Sequence, residues 1–251
     1  MGFQDPCLNL FMINRIYWLV LNSAALPSVL DWLSAIESEK YNVFRFAKRK
    51  REWLLGRWAA KTLLTKTYLH TRITHLSDLS ILNDLKSAPY ASYAGQRLDG
   101  SLSITHRDHL AVAAFCAEPT LSVGIDLEKI ERKTQGFMED YFTENEVSQV
   151  LALPQEEQAL AASLLWSGRE ALLKAEGIGL RVDTRDFQLQ IPAVDVPRDR
   201  WQPLFIQQSP LQSGWYQVFW QLMDQYVLSL AIRQKNQESF VSPDLFEQIT
   251  D

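Results

Sequence analysis

Behind Arg15 the chain runs IYWLVL, an apolar stretch too short for a helix of its own and rich in aromatic and branched side chains, which predicts a buried strand over 15 to 21. A short helix is expected next, near 27 to 40, opened by Pro27. From Phe44 onward, Ala47, Leu54, Leu55, Trp58, Ala59, Thr62, Leu63 and Leu69 recur close to a 3.6-residue period, the signature of a longer helix with one packed face. Gly56 inside that helix costs about 1 kcal/mol of propensity relative to Ala, so it marks a close packing contact or an approach from outside. Residues 77 to 100 are turn-rich and punctuated by Pro89, Gly95 and Gly100. Three short strands are predicted after them, SLSIT (101 to 105), LAVAAF (110 to 115) and SVGIDLE (122 to 128), the first two joined through HRDH.

The second half follows the same outline. A helical segment from Thr143 leads across Pro154 into a long helix, about 155 to 176, which stops at Gly177 and Gly179. Strands FQLQI (187 to 191), WYQVFWQL (215 to 222) and YVLSLAI (226 to 232) complete an antiparallel meander covered by helices. Helices and antiparallel strands in this order predict an α+β fold of two related subdomains, 1–118 and 119–251, with a hinge near Glu118 and Pro119 and no visible sequence repeat. The tail from Pro243 reads as an appended turn or helix with no evident function.

With 251 residues, 47% of them hydrophobic, the chain has material for a substantial core, which argues against disorder for its body. The formal net charge of -5 argues against a surface built for nucleic acid. Locally the balance reverses: between Arg45 and Lys61 seven basic residues face one acid, Glu52, and such a patch calls for an anion. Cys7 and Cys116 cannot make a disulfide framework, which suggests a reducing compartment. The opening LFMINRIYWLVL is interrupted by Asn14 and Arg15 and reads as a strand and not as a leader; with no apolar run of about 18 residues, the expectation is a cytoplasmic protein without a membrane partner.

Candidate chemistry gathers on acids. Asp126 and Glu128, two positions apart in a strand, project from one face. Like charges so close disfavour joint ionisation unless a cation intervenes, and magnesium suits one or two carboxylates whose remaining positions are filled by phosphate and water. A solvated strand end explains the pair equally well. In LLWSGREALLKAEGIGL a third acid, Glu170, lies on the stripe of Trp166, Leu173 and Lys174, although Glu170 with Lys174 is also an ordinary i,i+4 pair. His106, beside Thr105, ends SLSIT and is able to donate to a phosphate. Neither a zinc spacing nor a glycine-rich nucleotide loop is present.

Taken together, REWLLGR (51 to 57), SITH (103 to 106), GIDLE (124 to 128), FTENE (142 to 146) and WSGREALLKAEGIGL (166 to 180) resemble the motif set of the 4'-phosphopantetheinyl transferases of the larger, single-chain type that activates peptide and polyketide synthases. The resemblance spans roughly residues 15 to 235. It implies two similar subdomains with coenzyme A between them, and Mg-dependent transfer of its phosphopantetheine arm to a serine of an apo acyl or peptidyl carrier protein, with adenosine 3',5'-bisphosphate released. It also implies that Asp126, Glu128 and Glu170 hold Mg2+ and that Lys174 contacts the phosphates. By the same resemblance His106 holds a coenzyme A phosphate and Lys40 reaches the 3'-phosphate. Thr105, Arg45, Arg49, Arg97 and Arg169 complete the expected coenzyme A contacts, and Glu170 and Lys174 are the expected catalytic pair.

Four positions depart from the family pattern. Arg169 stands where a lysine is usual, Gln96 and Arg97 replace Lys-Pro after Gly95, Arg107 replaces a small hydroxyl residue after the histidine, and Glu37 stands where some members have a second lysine. Two rival functions follow from the residues: a non-catalytic relative that binds carrier protein or coenzyme A, motivated by these departures, and a nucleic-acid-binding protein using the basic helix 45–61. The expectation adopted is a monomeric transferase with no nucleic-acid partner.

Overall fold

The computed structural model describes residues 15–69, 73–192, 200–208, 215–235 and 241–250; Cys7 and the apolar residues ahead of Arg15 lie outside them. The first half comprises β1 (Ile16–Asn22), α1 (Ala35–Val43), α2 (Ala47–Thr67), β2 (Leu79–Asn83), β3 (Pro89–Tyr93), β4 (Gln96–Arg97), β5 (Ser101–Arg107) and β6 (Leu110–Cys116). The second comprises β7 (Leu121–Lys129), α3 (Gln135–Tyr141), α4 (Glu144–Ala152), α5 (Gln155–Glu176), β8 (Gln188–Leu189), β9 (Gln202–Leu204), β10 (Ile206–Gln208), β11 (Trp215–Met223) and β12 (Tyr226–Gln234). A final strand, β13 (Phe246–Gln248), returns to the first half and pairs parallel with β1. The expected tail of no function is therefore part of the first sheet.

The two four-stranded sheets have the orders β13-β1-β6-β5 and β7-β12-β11-β9, so the cores β1-β6-β5 and β7-β12-β11 have the same order in the two halves; β2-β3-β4 and β10-β8 form two smaller sheets. Among the described residues, helices combined with largely antiparallel sheets make the fold α+β, as expected. Strand β6 shows why each sheet is buried on both faces. Its Ala111, Ala113 and Phe115 pack with Leu55, Ala59 and Leu63 of α2, while Val112, Ala114 and Cys116 join Ile125, Leu127, Leu228 and Leu230 in a core shared by the two sheets.

The halves meet at β5 and β7 through side chains. The hydroxyls of Ser101, Ser103 and Thr105 accept the backbone N–H groups of Val123, Ile125 and Leu127 at 2.9, 3.0 and 3.4 Å. Alternation in SLSIT thus has a second meaning: one face sews the halves together, and the other packs in the first-half core through Leu102 and Ile104.

Helix ends follow their caps. Ser34, not Pro27, opens α1, closing a capping box with Glu37, so the helix starts later than its pattern suggested. Thr143 and Glu146 make the same box at α4. Gly177, at φ 72°, ends α5 in the left-handed conformation, with its N–H on the carbonyls of Leu173 and Lys174.

Candidate functional site

Gly124 makes the site possible. A Cβ built there would lie 2.0 Å from the Ala171 carbonyl oxygen and 2.4 Å from the Ala175 nitrogen, so only glycine lets the backbone of α5 rest directly on β7. With the helix this close, Ser167 donates to the Asp126 carbonyl at 3.3 Å and Ser163 to the Lys129 carbonyl at 3.2 Å. The helix runs antiparallel to the strand, so the next turns bring Glu170 within reach of the charges of Asp126 and Glu128 and set Lys174 against Ile125 and Asp126.

Asp126 is 5% exposed. Its Oδ1 accepts from Lys174 Nζ at 2.6 Å and from the Thr105 hydroxyl at 3.2 Å, while Oδ2 is buried with no partner. Lys174 also donates to the Ile125 carbonyl at 3.2 Å. Burial raises the proton affinity of Glu170; Lys174 opposes that rise, and Asp126 and Glu128 add to it, which places the three acids within electrostatic reach of one another. Glu128 is likewise raised, by burial first and then by Asp126.

These acids are neighbours without forming a closed cage. Among the described residues, no three His, Cys, Asp or Glu side chains are gathered to hold a metal ion. The physical reason lies in the cations: Lys174 takes Asp126, while Lys133 and Arg107 take Glu128 at 3.2 and 3.5 Å. The chemistry nevertheless fits a hard divalent ion. All donors are carboxylate oxygens, and a buried, unpartnered Oδ2 costs about 1–3 kcal/mol unless something positive reaches it.

His106 is half-buried at the end of β5. Burial pushes its imidazole below the usual value; Glu52 and Asp126 oppose this, and the positive fields of Arg49 and Lys174 add to it. Lys40 is lowered by burial first and then by Arg57 and Arg49, so Lys40, Arg49 and Arg57 lie within reach of one another's charge, and Arg49 also acts on His106. Arg49 and Arg45 are exposed, Arg45 in the link between α1 and α2. Arg97 lies over the Tyr90 ring at 4.2 Å and lines a cleft of about 420 Å³ between the halves, together with Ser101, Ser122, Lys174, Arg233 and Lys235.

Three expectations change. Arg169, predicted to contact coenzyme A, is fully buried behind α5: its guanidinium grips both Glu146 oxygens at 2.6 and 2.8 Å and donates to the carbonyls of Phe187 and Tyr141. One residue along a helix is a turn of about 100°, so Arg169 and Glu170 serve different sides. Thr105, placed among the same contacts, gives its hydroxyl to Asp126 and to the seam between the halves. The basic patch is also smaller than its composition implies. Lys61 is fully buried on Glu37, and Arg57 is 9% exposed against the Trp53 ring and Asn83. Sequence reading overlooked the two cations on Glu128. HRDH reads as a connecting turn, whereas Arg107 is the last residue of β5; for Lys133, its nearness to Glu128 in VGIDLEKIERK is the available signal.

The sequence pattern of the 4'-phosphopantetheinyl transferase superfamily matches residues 122–231, from the strand carrying Asp126 through β12. A holo-[acyl-carrier-protein] synthase of Lactococcus lactis subsp. lactis is 41% identical over 90 residues, which cover 34% of this chain and 74% of that protein. The 4'-phosphopantetheinyl transferase ffp of Bacillus subtilis is 30% identical over 118 residues, 45% of this chain and 51% of the relative. A human L-aminoadipate-semialdehyde dehydrogenase-phosphopantetheinyl transferase is 24% identical over 203 residues, 73% of this chain and 63% of the relative. The chain belongs to the 4'-phosphopantetheinyl transferase superfamily. It spans about half the length of the Bacillus subtilis relative.

Proposed function

We propose that this chain moves the 4'-phosphopantetheine group of coenzyme A onto a serine of an apo acyl or peptidyl carrier protein and releases adenosine 3',5'-bisphosphate. The observation that carries the proposal is the buried, unpartnered Oδ2 of Asp126, whose other oxygen holds Lys174 and whose charge helps to raise the proton affinity of Glu170. Such an arrangement suits a substrate that brings both negative charge and a proton to be removed.

Asp126, Glu128 and Glu170 would hold Mg2+. When bound, the ion supplies neutralising charge to a pyrophosphate under attack. Lys174 is placed to donate to a phosphate oxygen as negative charge builds on the leaving group, and its hold on Asp126 keeps the ammonium oriented. Glu170 is the proposed acceptor of the serine proton, directly or through a water. The raised proton affinity is that of the metal-free carboxyl, and an ion held by Glu170 would lower it, so the route through a water carries equal weight. Lys40, Arg49 and Arg45 are the positive flank proposed for the 3'-phosphate of coenzyme A, His106 is proposed as a neutral hydrogen-bond donor to a coenzyme A phosphate, and Arg97 is proposed at the mouth of the cleft. Arg169 has no place among these contacts.

The proposed division into subdomains 1–118 and 119–251 follows the two sheets, with β13 crossing back to the first. Because β5 and β7 carry both sides of the site on one chain, the reading has the protein working as a monomer.

The test uses purified protein, coenzyme A, magnesium and several apo carrier proteins. The expected outcome is a mass gain of one phosphopantetheine arm on at least one carrier, abolished by a chelator and by Asp126→Asn. Binding of coenzyme A without any transfer would replace the proposal with the non-catalytic reading.

A further inference from the structure

Asp126 and Glu128 share a face of β7 but not a fate. Asp126 keeps one oxygen without a partner, whereas Glu128 has two cations on a single oxygen: Oε2 meets Lys133 Nζ at 3.2 Å and Arg107 Nη1 at 3.5 Å. Neither cation is loosely placed. The Lys133 side chain is 9% exposed and lies 5.5 Å over the Phe137 ring. Arg107 enters the turn whose Asp108 sits at φ 52°, and its other terminal nitrogen is bonded to Glu131. Glu131 in turn lies 3.8 Å from Lys133, so the two cations and two acids form one network at the end of β7.

Charge counting shows what the network does. Around the candidate cation site four carboxylates, Asp126, Glu128, Glu131 and Glu170, face three permanent cations, Lys174, Lys133 and Arg107, and Glu131 offsets only part of the charge on the two that hold Glu128. An incoming dication therefore meets a nearly balanced field, and at Glu128 it meets an oxygen that already has partners. A dication approaching that oxygen is repelled by both cations already on it, which offsets part of the attraction of the carboxylate.

We propose that Arg107 and Lys133 set the affinity of the acid site for a divalent cation by competing with it for Glu128, an inference that rests on reading Asp126, Glu128 and Glu170 as the cation's ligands. Both are positioning residues: they act through Glu128 and not on the reacting atoms. Lys174 differs in kind, because it bonds Asp126 and lines the cleft where substrate would lie.

The test is direct binding of Mn2+ followed by electron paramagnetic resonance on the full chain without coenzyme A. Arg107→Ser and Lys133→Met should each tighten binding, roughly five- to tenfold for a unit charge removed at this range, and the double variant more. Arg107→Lys and Lys133→Arg keep the charge and should bind within about twofold of the parent chain. Adding Glu128→Gln to Lys133→Met should erase the gain. Unchanged or weaker binding in both Arg107→Ser and Lys133→Met overturns the inference, as does a gain that survives Glu128→Gln. Asp126→Asn separates the two levels of argument. If it leaves Mn2+ binding intact, the cation reading itself fails; if it weakens binding while Arg107→Ser and Lys133→Met do nothing, only the competition fails. Arg107 is partly exposed, so its variant decides the question even where Lys133→Met folds poorly.

Discussion

In the first half, Ser34 and Glu37 close a capping box, and the Glu37 carboxylate then takes Lys61 of α2 at 2.7 Å and the Ile81 N–H of β2 at 2.9 Å. In the second half, Thr143 and Glu146 close a box, and Glu146 takes Arg169 of α5 at 2.6 Å and the Leu189 N–H of β8 at 3.1 Å. Lys61 and Arg169 are separated along the chain by the same number of residues as Ile81 and Leu189. Each cation also ties down two backbone carbonyls, those of Trp32 and Leu76 for Lys61 and those of Tyr141 and Phe187 for Arg169. The two halves therefore share one buried lock that fixes a short helix, a long helix and a strand.

One residue beyond the lock the halves part company. In α5 the next residue is Glu170, followed a turn later by Lys174, and both face a strand that carries Asp126 and Glu128. In α2 the corresponding residues are Thr62 and Lys66, and the corresponding strand, IYWLVLN, is apolar apart from its final Asn22. The first half contributes chemistry from another strand, His106 and Thr105 at the end of β5. The comparison teaches that the buried charge belongs to the scaffold shared by both halves, and that the candidate site lies beside it in the one half where Gly124 admits the helix.

Cutting the lock should have the largest effect. Arg169→Met and Lys61→Met each strand a buried carboxylate, at a cost of about 3–5 kcal/mol measurable by urea denaturation. The charge-free pairs Glu146→Gln with Arg169→Met, and Glu37→Gln with Lys61→Met, should recover a substantial part. A loss confined to one half would break the symmetry argued above.

A smaller effect, of opposite sign, separates the site from the scaffold. Glu170 holds its proton more tightly in the folded chain than the ordinary 4.5 of a free glutamate, so the folded state binds more protons than the unfolded one between that value and the raised one. Stability from this group therefore rises as pH falls through the raised value, and at neutral pH the charged carboxyl works against folding. Glu170→Gln should raise Tm of the metal-free protein at neutral pH by about 2–4 °C and flatten its pH dependence in that window, whereas Thr62→Ala should leave that pH dependence unchanged. Thermal unfolding across a pH series checks both.

The sequence conveyed the architecture through the features that repeat. The apolar period of α2, the long helix α5, the three short strands β5 to β7 and the glycine stop at Gly177 all appear in the structure. It did not convey β2 to β4, because Pro89 and turns with positive φ at Ser87 and Ala94 leave no periodic run long enough to detect. Strand β13 was hidden for another reason, being three residues whose strand character comes from pairing with β1 at the far end of the chain. At the candidate site the acids were legible as types, but their ion-pair partners were not. Arg169 looked like part of the Glu170 motif because the two adjoin in sequence, while helical geometry sends them to different faces.

The claim on which the account turns is that Glu170, and not its counterpart Thr62, does chemistry. It is tested most directly by the single-turnover rate at which an apo carrier protein gains the phosphopantetheine arm, with coenzyme A and magnesium saturating. Glu170→Gln should slow that step by about a hundredfold or more, and Thr62→Ala should change it less than about threefold. A Glu170→Gln rate within about threefold of the parent chain would contradict the account.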